Sequence, residues 1–185
     1  MSCPDLGDDF ECDDQGGGFC ESGVPQPISD QSLSQVDSSF PEPEYRFIVI
    51  VDDSAPESDL GSGTGGVDIC SVVAECRGAP VALTVANFSS GDGTSADHND
   101  PSAAVNVEAE CNPDNHEHYV SLGLNGVLSL EADVALVRGC TVRVEEYVGS
   151  TFESYTIEVC TDPAGNECSD SAVDLVEGGS GVLSL

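Results

Sequence analysis

A 185-residue chain with 35 acidic residues, four arginines and no lysine carries a formal net charge of −31. Such a chain repels phosphate backbones and gains nothing at an anionic bilayer, so nucleic acid and membrane surfaces are set aside as partners. What remains is a surface suited to high salt, or carboxylates gathered to hold a hard cation, chiefly Ca²⁺.

Residues 1–44 hold eleven of the acidic residues, no basic one and few aliphatic groups. A segment of that composition buries too little apolar surface to offset the entropy of ordering it. Cys3, Cys12 and Cys20 are placed to pin residues 1–20 into a small knot, and the Ser-, Pro- and Gln-rich stretch that follows reads as a linker. The expected domains are therefore an acidic, cysteine-containing tail over 1–44 and a folded domain over 45–185. The tail shows no basic and apolar leader of the secretory kind, and no stretch of the chain is apolar for the ~20 residues a membrane-crossing helix needs.

The folded domain opens with YRFIVIVDD at 45–53, a β-branched and aromatic run ended by a turn. From there short strands alternate with Gly/Asp/Ser/Asn/Pro clusters. Strands are predicted over 45–52, 67–76, 80–88, 103–110, 119–124, 126–132, 140–148, 154–160 and 172–176, with a last one over 181–185. The stretch 131–139, EADVALVRG, is too short and too β-branched for a helix. In 140–148, Val142, Val144 and Tyr147 are expected on the buried side, with Thr141, Arg143 and Glu145 on the wet side. Evenly punctuated strands of this kind predict an all-β fold, an antiparallel β-sandwich or jelly roll.

Two acidic loops interrupt the strands. The first, VDDSAPESDLGSGTGGVD, supplies Asp52, Asp53, Glu57, Asp59 and Asp68 on a glycine-rich segment. These residues are the first choice for a bound Ca²⁺, which takes six to eight oxygens from flexible loops. The second, GDGTSADHND, supplies Asp92, Asp97 and Asp100. Neither has EF-hand spacing, and in a chain acidic throughout both also read as solvated turns. His116 and His118 flank Glu117, and i, i+2 neighbours on a strand share a face, so they form an HxH pair with no third ligand fixed by spacing. His98 lies in the second acidic loop. Asn87-Phe88-Ser89 is a glycosylation sequon at Asn87.

The nine cysteines, at 3, 12, 20, 70, 76, 111, 140, 160 and 168, include no CxxC pair, which argues against a zinc ribbon or a thioredoxin-type centre. Their abundance predicts an oxidising compartment and structural disulfides. The odd count leaves one free, intermolecular or modified. No GxSxG nucleophile motif is present, and in so acidic a chain a pair of carboxylates is uninformative about glycoside hydrolysis. With no Trp and four Tyr, aromatic platforms for sugars are scarce.

GVDICSV at 66–72 and LGLNGVLSLEADVALVRGCTVRVEEYVGSTFESYTIEVCTD at 122–162 resemble blocks of a domain of secreted bacterial surface proteins, related to the galactose-binding-like β-sandwich. This chain departs from that pattern at Cys70, Cys140 and Cys160. The resemblance implies a jelly-roll sandwich, an extracellular binding or display role without catalytic residues, and a structural Ca²⁺ near an inter-strand loop. It also suggests geometry for the cysteines. Cys140 faces Cys160 if strands 140–148 and 154–160 pair through their connecting turn. Alternatively Cys160–Cys168 closes the TDPAGNE loop, and Cys70, Cys76 and Cys111 compete for the rest. The resulting expectation is a secreted or cell-surface binding module contacting a glycan or a protein. The alternative is a structural subunit that polymerises through a terminal strand, such as the repeated GVLSL at 181–185, or through an intermolecular disulfide.

Overall fold

The computed structural model describes residues 43–55, 65–94, 96–106, 118–147, 153–170, 173–177 and 179–185. Cys3, Cys12, Cys20, Glu57, Asp59, Cys111, His116 and Glu117 lie outside the described residues, as does nearly all of the 1–44 segment. The run YRFIVIVD forms β1 (Tyr45–Asp52). It is followed by β2 (Asp68–Cys76), β3 (Ala79–Val81), β4 (Leu83–Ser89), β5 (Val120–Ser121), β6 (Val127–Leu136), β7 (Cys140–Glu146), β8 (Ser154–Cys160), β9 (Val173–Glu177) and β10 (Ser180–Ser184). They assemble as an antiparallel β-sandwich. One sheet has the order β4-β6-β1-β8-β9, and the other β10-β7-β2-β3, with β5 also on β2.

The core lies where the two inner faces meet. Ile48 and Ile50 of β1, Leu128 and Leu130 of β6, and Tyr155, Ile157 and Val159 of β8 pack towards Ile69, Val72, Val142, Val144 and Leu183 of the other sheet. Burying each such side chain contributes about 1.5–3 kcal/mol.

Four expectations are corrected by this arrangement. The predicted strand 80–88 is two strands in different sheets. The chain breaks at Ala82, which exchanges hydrogen bonds with Asp133: Ala82 N–H donates to the Asp133 carboxylate and Asp133 N–H to the Ala82 carbonyl, each 3.1 Å. Within the predicted strand 103–110, residues 103–105 belong instead to a 3-10 helix, Pro101–Val105. Asp100 caps it by accepting from Ser102 N–H at 2.9 Å, and Pro101 supplies the fixed φ of a first helical residue. β7 and β8 lie in opposite sheets, so Cys140 and Cys160 do not face each other. Finally, the inward alternation of β7 runs Cys140, Val142, Val144, Glu146, so Glu146 rather than Tyr147 takes the last inner position.

Two disulfides join described residues. Cys76–Cys140 links directly opposed residues of β2 and β7. Cys160–Cys168 closes the loop after β8, one of the two pairings the sequence left open for Cys160. Inside that loop Asp162 accepts N–H bonds from Ala164, Asn166 and Glu167. Cys70 is disulfide-bonded as well. The C-terminal GVLSL falls in β10, which pairs with β7 of its own sheet and so completes the sandwich.

Candidate functional site

At the end of the sandwich where β1 stops and β2 begins, inner positions that would extend the apolar pattern carry carboxylates. Asp52 follows Ile48 and Ile50 at a spacing of two and is 2 % exposed. Its carboxylate accepts four hydrogen bonds: from Ser54 Oγ at 2.7 Å and Ser54 N–H at 3.3 Å, from Val67 N–H at 2.8 Å, and from Asn125 N–H at 3.1 Å. One side chain thus ties the exit of β1, the entry of β2 and the LGLNG turn together. Glycines make the close approach achievable, because a Cβ on Gly91 would run into the Leu124 carbonyl and one on Gly126 into that of Leu122.

Three further buried carboxylates gather at the same end. Asp68, Glu146 and Glu153 are 8 %, 7 % and 7 % exposed. Glu146 accepts from Gly179 N–H at 2.8 Å and is hydrogen-bonded to Glu153. Two carboxyl groups bonded in this way need a proton between them. Burial, followed by the charges of Asp68 and Asp52, pushes the Glu146 carboxyl up to about 7, against the pull of Gly179 N–H and Glu153. Beside Asp68 in the ladder sits Ser121, fully buried, with no hydrogen-bond partner for its hydroxyl.

An aromatic stack flanks this cluster. His98 lies on Tyr119 with ring centres 4.1 Å apart, and Tyr119 on Tyr147 at 5.9 Å. Tyr119 Oη and His98 Nε2 are 2.9 Å apart. Burial first, then the negative charge of Asp68, pushes the Tyr119 hydroxyl up to about 12. Tyr155 Oη donates to the Gly179 carbonyl at 3.0 Å, and its hydroxyl is likewise raised by burial and by Glu146.

Of the residues singled out from the first acidic loop, Asp52 and Asp68 are thus buried at one end of the sandwich. Asp53 is exposed; its backbone N–H donates to the Ser154 carbonyl and its own carbonyl accepts from Ser154 Oγ. The second loop is spread out: Asp92 bridges to Leu124, Asp97 is exposed in the short 3-10 helix Ala96–His98, and Asp100 serves as a cap. Asn87 is exposed on β4, at the edge of its sheet. Glu146, Glu153 and Ser121 were not singled out from the sequence. For Glu146 the signal was present, since the period-two pattern of β7 runs straight into it.

Among the described residues, one trio of His, Cys, Asp or Glu has donor atoms all within 4.8 Å of one another: Glu158, Cys160 and Cys168, whose sulfurs are bonded to each other. The carboxylates around Asp68 form a looser group. Their all-oxygen character suits a hard cation, and the orphaned Ser121 hydroxyl adds an oxygen beside Asp68. Asp52 is the poorer ligand, both of its oxygens being engaged by N–H and O–H donors. Among the described residues no helix is long and apolar enough to cross a membrane. The chain is an antiparallel β-sandwich carrying disulfides. Comparison with family models, with curated proteins and with solved structures returned no match.

Proposed function

We propose that this protein is a secreted or cell-surface module that binds or displays a glycan or protein ligand without catalysing a reaction. The observation that carries the reading is the disulfide framework. Cys76–Cys140 staples two β-strands and Cys160–Cys168 closes the loop after β8, and bonded cysteines of this kind persist in oxidising compartments. The galactose-binding-like resemblance points to the same setting. A structural Ca²⁺ at the buried carboxylate end, held by Asp68, Glu146 and Glu153 with Ser121 beside them, would neutralise charge that is costly to bury.

Assembly is the second reading, favoured by the place of β10 at the end of its sheet among the described strands. The test is to locate the protein in its host by fractionation, count its free thiols, and measure sedimentation with and without reductant. A surface or external location, with the bonded cysteines protected and a monomeric profile, supports the module. An internal protein with free thiols overturns it, and a polymer that falls apart on reduction installs the structural-subunit reading.

A further inference from the structure

The outer face of the β10-β7-β2 sheet carries an ordered grid of side chains. Register places Ser71, Glu145 and Ser180 in one row, Val73, Arg143 and Val182 in the next, and Glu75, Thr141 and Ser184 in the third. All of these but Ser180 and Ser184 line a groove of about 610 Å³, within the range that binding clefts occupy. Arg143 stands at its centre. It is one of four cations in a chain of net charge −31, yet the ion pair found among the described residues is Arg46–Glu44, and Arg143 has none. Ser71 Oγ donates to Glu145 Oε2 at 3.3 Å. Val182, half exposed, and Val73 are the register partners of Arg143 on its two neighbouring strands.

From this grid we infer that the groove is a binding site for a neutral, polyhydroxylated ligand, a short stretch of uncharged glycan. The inference rests on the binding-module reading and names its site. Charge decides between ligand classes. An anionic ligand would meet Arg143 but also Glu75, Glu145 and the field of the whole molecule. A cationic one would have to place its charge against the central guanidinium. A second copy would bring another −31 to the contact. A row of sugar hydroxyls meets none of these penalties. It accepts from the five N–H donors of Arg143, donates to Glu75 and Glu145, and exchanges bonds with Ser71 and Thr141. The two valines on either side of Arg143 offer apolar surface to the C–H face of a ring. With aliphatic rather than aromatic platforms the affinity is modest, in the high-micromolar to millimolar range.

The experiment uses the full oxidised chain, labelled with ¹⁵N. It is titrated with methyl pyranosides of glucose, galactose and mannose and with neutral linear oligosaccharides, beside a uronate oligosaccharide and a lysine-rich peptide. The expected result is saturable shifts of β2, β7 and β10 amides with at least one neutral sugar, little changed between low and high salt. Arg143→Ala and Glu145→Gln should each weaken that binding about tenfold or more while leaving the melting temperature in place. Binding of the uronate or the peptide at the same amides, lost in salt, would overturn the neutral-ligand assignment and leave the module reading intact. Sugar binding that maps away from this sheet would overturn the site. If no probe moves any amide and the protein sediments as a polymer, the module reading falls along with the inference.

Discussion

Replacing Glu146 by glutamine isolates the energetic consequence of burying an acid at the inner end of β7. The carboxyl is raised from 4.5 to about 7, chiefly by burial. Between those values the folded protein keeps a proton that the unfolded chain gives up. Stability contributed by the protonated group is therefore fully present below pH 4.5 and lost as pH rises through about 7. At about 1.36 kcal/mol per pH unit the full effect is about 3.4 kcal/mol, and residual exposure brings it to about 2–3 kcal/mol. Glu146→Gln stays neutral throughout and retains an oxygen for Gly179 N–H. The variant should match the parent near pH 4 and exceed it by about 2–3 kcal/mol at pH 8. The assay is urea unfolding of the oxidised proteins at half-unit pH steps, with chelator present, because bound Ca²⁺ would itself favour the ionised form. Carboxylates that do not touch Glu146 are common to both proteins and cancel in the difference, while the couplings to Asp52, Asp68 and Glu153 stay in it. A gap independent of pH, or one that opens towards acid, would refute the reasoning.

Asp52→Asn removes a charged acceptor from four donors and turns an amide NH₂ towards some of them, so a loss of about 3–5 kcal/mol is expected in the same assay; a loss below 1 kcal/mol would show that the clamp is dispensable. Gly91→Ala forces a Cβ onto the Leu124 carbonyl and should cost about 3 kcal/mol or more, read as a drop in melting temperature or a failure to accumulate. Cys76→Ala with Cys140→Ala opens a loop of sequence separation 64, and Cys160→Ala with Cys168→Ala one of 8. Chain entropy then predicts losses of about 4 and about 2.5 kcal/mol, and the reverse order in denaturant titrations would contradict that account.

The strands that were legible in the sequence are those whose residues speak for themselves. YRFIVIVD has little alternative to a strand, whereas β6 runs on past the expected 126–132 to Leu136. What escaped depends on partners distant in the chain. Nothing near Ala82 announces a change of sheet, because the bonds that fix it come from Asp133, 51 residues away. The 103–105 stretch looked extended until the Asp-Pro pair ahead of it is read as a cap followed by a first helical residue. At the carboxylate end, Asp52 and Asp68 stood out as acids in a loop, and the period-two patterns of β1 and β7 are what carry Asp52 and Glu146 inward. The stacking of His98 on Tyr119 joins positions 21 apart across segments whose spacing carries no regular period.

The position of β1 between β6 and β8 has a consequence for how the molecule is made. The first strand of the sandwich finds its two neighbours only when residues 127–136 and 154–160 have been synthesised. At about 5–20 residues per second, that leaves YRFIVIVD waiting about 5–20 s with both edges bare. Cys76 waits over much of the same interval for Cys140, in the company of thiols that arrive sooner. Maturation of this protein should accordingly be sensitive to whatever shields strands and reshuffles disulfides while it folds, and a slow, isomerase-dependent yield is its natural signature.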